Sequence, residues 1–279
     1  YYSVETEAPM TFSPDGEFPV VNIEKGRLPG HFTASWEKSE KLPRLVSFKA
    51  GVKTNVVPGK AHAVVEGVEL EVLTATAAQM EQETGIHFEF EEESGKIHIT
   101  AVGEGAHASM PYEGKNALTC LLSYLTRLPL AECGQTETLK KLLGLMPHGE
   151  TDGKSLGVKM GDELSGDLTL AFSMLTVNGE GLDGEFDSRC PICANEDNVL
   201  KVIRENMANI GVTLLNETMI TPHYVDGDSH FVRTLNAAYE LYTGLQGGCQ
   251  SMGGGTYVHE LKNGVAFGAA LPGTDNRMH

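Results

Sequence analysis

The chain has 279 residues, 41% hydrophobic and 21% charged, with 38 acidic against 21 basic side chains and a formal net charge of -17. That composition is globular and allows a core over about two domains, while the charge, with no Lys/Arg cluster to offset it, argues against nucleic acid or an anionic membrane as partner. No apolar run approaches the roughly 18 residues of a membrane span, residues 1–10 form no signal peptide, and five irregularly placed cysteines make no disulfide framework; a cytoplasmic protein is expected. Residues 11–24 carry a turn signal at Pro14, Asp15 and Gly16, followed by an apolar run that predicts a strand over 18–23. Gly26, Pro29, Gly30 and Pro43 break the next stretch. Runs 45–57 and 61–70, separated by Pro58-Gly59, predict a hairpin, and 72–83 predicts a helix ended by Gly85. A second hairpin is expected over 86–91 and 96–101 around Ser94-Gly95. Leu118, Leu121, Leu122, Leu125 and Leu128 then predict a helix over 117–128, stopped by Pro129.

Beyond a loop-rich stretch at 147–156 the pattern recurs. A hairpin is expected over 168–177 and 182–189 through Asn178-Gly179, then a helix over 198–210 and a strand over 213–220. The repetition predicts an internal, degenerate repeat of two sheet-plus-helix halves in one α+β unit. Asp228 or Ser229 is expected to cap a helix running to Tyr242, with Gly244 ending it, before a Gly-rich loop at 251–256 and a strand over 265–269. The chain opens at Tyr1 rather than Met and stops at Met278-His279, and reads as part of a longer polypeptide.

Four features carry candidate chemistry. VGEGAHASMPYEGKN (102–116) sets His107 among small residues that let a ligand or another segment approach the imidazole, although a locally bonded loop histidine fits the same residues. Asp15 sits in a turn, where a carboxylate commonly bonds nearby backbone N–H groups. The run Gly253, Gly254, Gly255 lacks the spacing of a nucleotide fingerprint but suits presentation of backbone N–H groups to a carboxylate; a flexible turn is the alternative. Cys190-Pro-Ile-Cys193 precedes a predicted helix, a setting that can lower a thiol pKa for redox exchange, but no thioredoxin-like pattern surrounds it and no second CxxC completes a zinc site. His259-Glu260 lacks the second histidine of an HExxH helix, and Glu91-Glu92-Glu93 reads as a solvated charge run.

Taken together, the segments FSPDGEFPVVNIEKG (12–26), NVVPGKAHAVVEG (55–67), VGEGAHASMPYEGKNAL (102–118), FDSRCP (186–191), PHYVDGDSHFVRTLNAAYE (222–240) and SMGGGTYVHELKNGVAFGAALPGTDNRMH (251–279) resemble the carboxypeptidase-G/aminoacylase superfamily of dinuclear zinc peptidases. The resemblance is to its single-chain bacterial dipeptidases, of the carnosinase-like, Xaa-His type. It implies an α/β catalytic domain, here only residues 1–24 and 221–279, and an inserted lid domain at 25–220 made of two ferredoxin-like halves, roughly 45–145 and 155–220. It further implies that Asp15 and His279 are metal ligands, one for each ion of a pair of Zn2+ (Mn2+ or Co2+ being possible replacements). His107 becomes the donor to the oxyanion of the tetrahedral intermediate. Asn55 and Arg189 become substrate-binding residues, with Arg189 and the amides of Gly253, Gly254 and Gly255 gripping the C-terminal carboxylate of a dipeptide.

One departure matters. The family's HxD ligand motif, its bridging Asp and its Glu-Glu pair would all precede the stretch that begins here, and nothing in this sequence replaces them. The chain alone is therefore expected to be inactive, as a truncated or partly ordered piece of a complete dipeptidase. The alternatives are a non-catalytic peptide-binding or interaction module and a CxxC thiol redox protein. FDSRCP also differs from the family's Asp-Ile-Arg-Tyr-Pro-like run around Arg189. A monomer is expected, because a doubled lid could fill the space a partner's lid takes in dimeric relatives.

Overall fold

A computed structural model describes residues 8–274, so His279 lies outside the described residues. In the run KAHAVVE (60–66) the period-two pattern buries Ala61, Ala63 and Val65 and turns the residues between them outward. Ile97, Ile99 and Ala101 do the same one strand away. Stripes of this kind need a cover, and helices supply it: Leu73, Ala77 and Met80 of α1 (Leu70–Thr84), and nearly every side chain from Ala117 to Leu125 of α2 (Ala117–Arg127), are buried. Asn116 caps α2 by accepting from Thr119 N at 3.2 Å, and Gly85 ends α1 in the left-handed region at φ 67°. Where α1 and α2 meet, the Tyr124 hydroxyl donates to Leu73 O at 2.9 Å.

The strands used below are β1 Thr11–Ser13, β2 Val20–Glu24, β3 Gly26–Ser35, β4 Arg44–Ala50, β5 Lys60–Glu66, β6 His87–Glu93, β7 Lys96–Val102, β8 Thr169–Val177, β9 Gly181–Cys190, β10 Thr213–Leu214, β11 His223–Tyr224, β12 Cys249–Met252 and β13 Gly264–Phe267. Eight of them form one sheet in the order β10-β3-β9-β8-β4-β5-β7-β6, all antiparallel. The other five form a mixed sheet, β1-β13-β2-β11 with β12 also on β2. Each sheet has its own core. One apolar cluster runs from Leu28 to Met219, and a small separate one joins Val20, Val225, Val232, Leu235 and Val265. The chain crosses from the small sheet at Glu24–Gly26 and returns at Ile220–His223. The crossings run side by side, Arg27 N donating to Ile220 O at 2.8 Å and Ile220 N to Arg27 O at 2.9 Å.

The order of strands in the large sheet departs from chain order at one place. β4, β5, β7 and β6 lie together under α1 and α2, but the half containing β8, β9 and β10 is not a continuous 155–220 segment: β3, from 26–35, lies between β9 and β10. That strand is where proline and glycine suggested a break. β3 pairs with β9 over ten residues, from Gly26 opposite Cys190 to Ser35 opposite Gly181. Pro29 is tolerated because its carbonyl, and so its missing N–H, faces the open side of the strand. There Asn216 takes a partner strand's place, donating to Pro29 O at 3.0 Å and accepting from His31 N at 2.7 Å. Gly30 is needed because the Phe186 ring lies over it, 2.1 Å from where a Cβ would stand. Asn216 also explains why the strand expected over 213–220 stops at Leu214.

The helix expected over 198–210 begins as a wide turn, Glu196–Leu200, capped by Asn195, and continues as α4, Lys201–Ala208. A helix not expected from the sequence, α3 (Gly134–Leu145), follows Cys133 and buries Leu139 and Leu142. α5 (His230–Thr243) is capped by Ser229 and ended by Gly244, as its sequence predicts.

Candidate functional site

The His107 segment is built by close backbone approach. Val56–Val57 pairs antiparallel with Ala106–His107, setting Val56 opposite His107, and Ala108 N donates to Asn55 O at 3.0 Å. Val57, Ala106, Ala108 and Ala171 pack beneath, small enough to bring these short strands against β8. A Cβ at Gly114 would lie 2.8 Å from Glu104 O and 3.0 Å from Ala106 Cβ, so glycine there is a packing requirement. Asn116 then ties the segment to the large sheet, its side chain donating to Phe172 O at 2.8 Å. Asn55 and His107 thereby become neighbours, each half-buried.

Arg189 lies near the end of β9, opposite Thr169 of β8 and Arg27 of β3. Two residues earlier on the same face, Asp187 is fully buried and accepts from both guanidiniums: from Arg189 Nε at 2.6 Å and Nη2 at 3.1 Å, and from Arg27 Nη2 at 2.6 Å and Nε at 3.0 Å. Two cations around one carboxylate leave one net positive charge. The side-on fork of Arg189 is thus committed to Asp187, and its Nη1 donates to Gly253 O across the gap between the sheets. Ser109, two residues after His107, also reaches that glycine: a Cβ on Gly253 would stand 3.1 Å from Ser109 Cβ. His107, Arg189 and Gly253 therefore meet at one junction. Burial, then the charge of Arg189 with a smaller contribution from Arg27, lowers the His107 pKa below its ordinary value against the pull of Asp187.

The glycine run is anchored from behind by Glu24, which no sequence motif singles out, and by His259. Glu24, 1% exposed at its side chain, accepts from Thr256 N at 3.1 Å, Thr256 Oγ1 at 2.6 Å and His259 Nδ1 at 2.8 Å. His259 Nε2 lies 2.8 Å from Thr221 O on the returning crossing. Both ring nitrogens face acceptors, which only an imidazolium satisfies. Burial opposes ionisation of Glu24, but hydrogen bonds from His259 and Thr256 outweigh it and hold the carboxyl below its usual range; Glu24 in turn raises His259. Gly255 fits because a Cβ there would press on His259 Nδ1 at 3.2 Å. Gly254 faces open space apart from the Met252 methyl at 3.7 Å.

Of the two expected metal ligands, His279 lies outside the described residues. Asp15 stands exposed in the turn after β1, and among the described residues no three His, Cys, Asp or Glu side chains converge as a metal site. The described residues by themselves therefore do not make up a metal centre. The CxxC pair is also placed against redox use. Burial pushes the Cys190 thiol up to about 11, and burial with the nearby Asp162 raises exposed Cys193, the reverse of what an activated thiol needs.

No family model matches the chain. It aligns over its whole length, at 33% identity, with "Putative dipeptidase YtjP" of Bacillus subtilis (strain 168) and with the Beta-Ala-Xaa dipeptidase of Lactobacillus delbrueckii subsp. lactis, spanning 60% and 59% of those proteins. Among solved structures it is similar to the aminoacylhistidine dipeptidase of Vibrio alginolyticus, with a TM-score of 0.50 and 13% identity over 95% of this chain and 61% of that one. That likeness speaks to the fold. No helix of the described residues is long and apolar enough to cross a membrane. Alignment of the whole chain at 33% identity makes it a homologue of the part of these bacterial dipeptidases that it spans.

Proposed function

We propose that this chain supplies the substrate-gripping lid, at 25–220, and part of the catalytic domain of a metal-dependent dipeptidase. The observation that carries this is the meeting of His107, Arg189 and Gly253 where the two sheets face each other. The dipeptide's C-terminal carboxylate is drawn by the net positive charge left around Asp187. It binds the guanidinium N–H groups of Arg189 not taken by Asp187 or Gly253, aided by the amides at Gly254 and Gly255. Asn55, whose side-chain amide has no partner among the described residues, is free to hold the peptide unit. His107, kept neutral, donates to the oxygen on which charge develops.

Asp15 and His279 remain proposed ligands of a pair of Zn2+ ions, with Mn2+ or Co2+ as replacements, and the rest of that centre is to come from the part of its relatives that this chain does not span. By itself the chain binds dipeptide without hydrolysing it. All five cysteines are unpaired, which supports a cytoplasmic location, and the extent of the eight-stranded sheet is in keeping with a monomer whose doubled lid fills a partner's space.

The test is dipeptide hydrolysis with elemental analysis, on this chain and on a chimera that adds the unspanned part of the B. subtilis relative. Two metal ions and turnover in the chimera alone are expected. Replacing His107 with Ala in the chimera should lower kcat by roughly two to three orders of magnitude. A metal-free, inert chimera that still binds dipeptide would favour the non-catalytic peptide-binding module.

A further inference from the structure

The His107 ring is under a directional constraint. Its Nδ1 lies 3.1 Å from Ser109 N, in line to accept that N–H, and 2.6 Å from Ser109 Oγ. A backbone N–H can only donate, so Nδ1 must present its lone pair, and the proton of the neutral ring sits on Nε2. A proton on Nδ1 would point at the Ser109 N–H, and the ring would have to leave both contacts to carry it.

Ser109 is itself held from two sides. Thr169 Oγ1 of β8 donates to its carbonyl at 3.4 Å, and its Cβ stands 3.1 Å from where a Cβ on Gly253, in the bend after β12, would lie. The charged groups facing the ring are Arg189 and Asp187 of β9 and Arg27 of β3; the two guanidiniums and burial oppose a charge on the ring, and Asp187 favours one. Nε2 has no partner among the described residues.

We propose that Ser109 is a positioning residue that holds His107 as the neutral tautomer with its proton on Nε2, leaving that N–H as a ready donor into the junction. The proposal rests on the reading of His107 as an oxyanion donor and deepens it, since the other tautomer would offer a lone pair to a developing negative charge. In the sequence Ser109 is only a small polar residue two positions after a histidine. Geometry supplies the rest.

The test reads the tautomer directly. Two-bond 15N–1H correlation spectra of the uniformly labelled full chain, with His107 assigned by its loss in His107→Ala, should show Nδ1 as an unprotonated nitrogen and Nε2 as a protonated one at about pH 8, above the ordinary histidine range. In Ser109→Ala, which loses the hydroxyl contact and keeps the backbone N–H, the His107 titration midpoint should move up while Nδ1 stays the unprotonated nitrogen, with recovery in Ser109→Thr, which keeps the hydroxyl. A His107 protonated on Nδ1 in the unaltered chain would overturn the proposal, as would a Ser109→Ala spectrum identical to that of the parent. If Ser109→Ala does not fold, the spectrum of the unaltered chain still decides the tautomer. None of these readouts requires turnover. An inert chimera with the expected tautomer would therefore count against the dipeptidase reading alone, and an active one with the wrong tautomer against the role of Ser109 alone.

Discussion

Replacing Asp187 with Ala removes the one carboxylate that holds Arg27 and Arg189 together. Its side chain is 0% exposed and accepts four guanidinium N–H contacts between 2.6 and 3.1 Å. Breaking a buried charge pair by deleting one partner costs about 3–5 kcal/mol, because the other charge is left without compensation. Here the cost falls at the lower end, about 3 kcal/mol, since Arg27 is 33% exposed and can turn to water, whereas Arg189, at 6%, cannot. With a urea m-value of about 2–3 kcal/mol per molar, the unfolding midpoint should fall by roughly 1 M. Asp187→Asn, which keeps the shape and one acceptor, should lose less. Urea titration followed by circular dichroism measures both. A loss below about 1 kcal/mol for Asp187→Ala would refute the reasoning, because it would mean that Arg189 is not held by a buried carboxylate.

Gly30→Ala puts a methyl 2.1 Å from the ring of fully buried Phe186 and should cost about 1–3 kcal/mol, with part of the loss recovered by adding Phe186→Leu; the same titration checks it. The Glu24–His259 pair should make stability depend on pH. Glu24 is held below its usual 4.5, so its contribution is present above that value and lost as pH falls through the lowered pKa; His259 is raised above 6.5, so its contribution is complete below 6.5 and lost as pH rises through the raised pKa. The stability gap between the unaltered chain and His259→Gln should accordingly be wider at about pH 5.5 than at about pH 9, and a gap independent of pH would contradict the imidazolium assignment.

The local punctuation of the chain was legible where one residue decides one turn. Gly85, Gly244 and Ser229 end or begin helices where their chemistry predicts, and Asn116, unread as a cap in the sequence, begins another. β3 was hidden because its proline and glycine are acceptable only in context, Pro29 beside a side chain that replaces a strand and Gly30 beneath a ring from residue 186. Such partners are more than 150 residues away in sequence, and no local pattern announces them. The same applies to the site. His107 and the glycines stood out by their settings, Asn55 and Arg189 through family resemblance alone, and the structure brings His107, Arg189 and Gly253 together. Asp187 stands on the same strand face as Arg189 in FDSRCP, a period-two signal that could have been read from the sequence. Glu24 and His259, 235 positions apart, left no such trace.

The most direct test of the central claim is calorimetric titration of this chain with a dipeptide bearing a free C-terminal carboxylate and with the same dipeptide amidated at that end. The account predicts that the free acid binds at least about tenfold more tightly, a charge-assisted difference of about 1.4 kcal/mol or more, and that Arg189→Ala abolishes the preference. Equal binding of the two ligands, or a preference that survives Arg189→Ala, would contradict it.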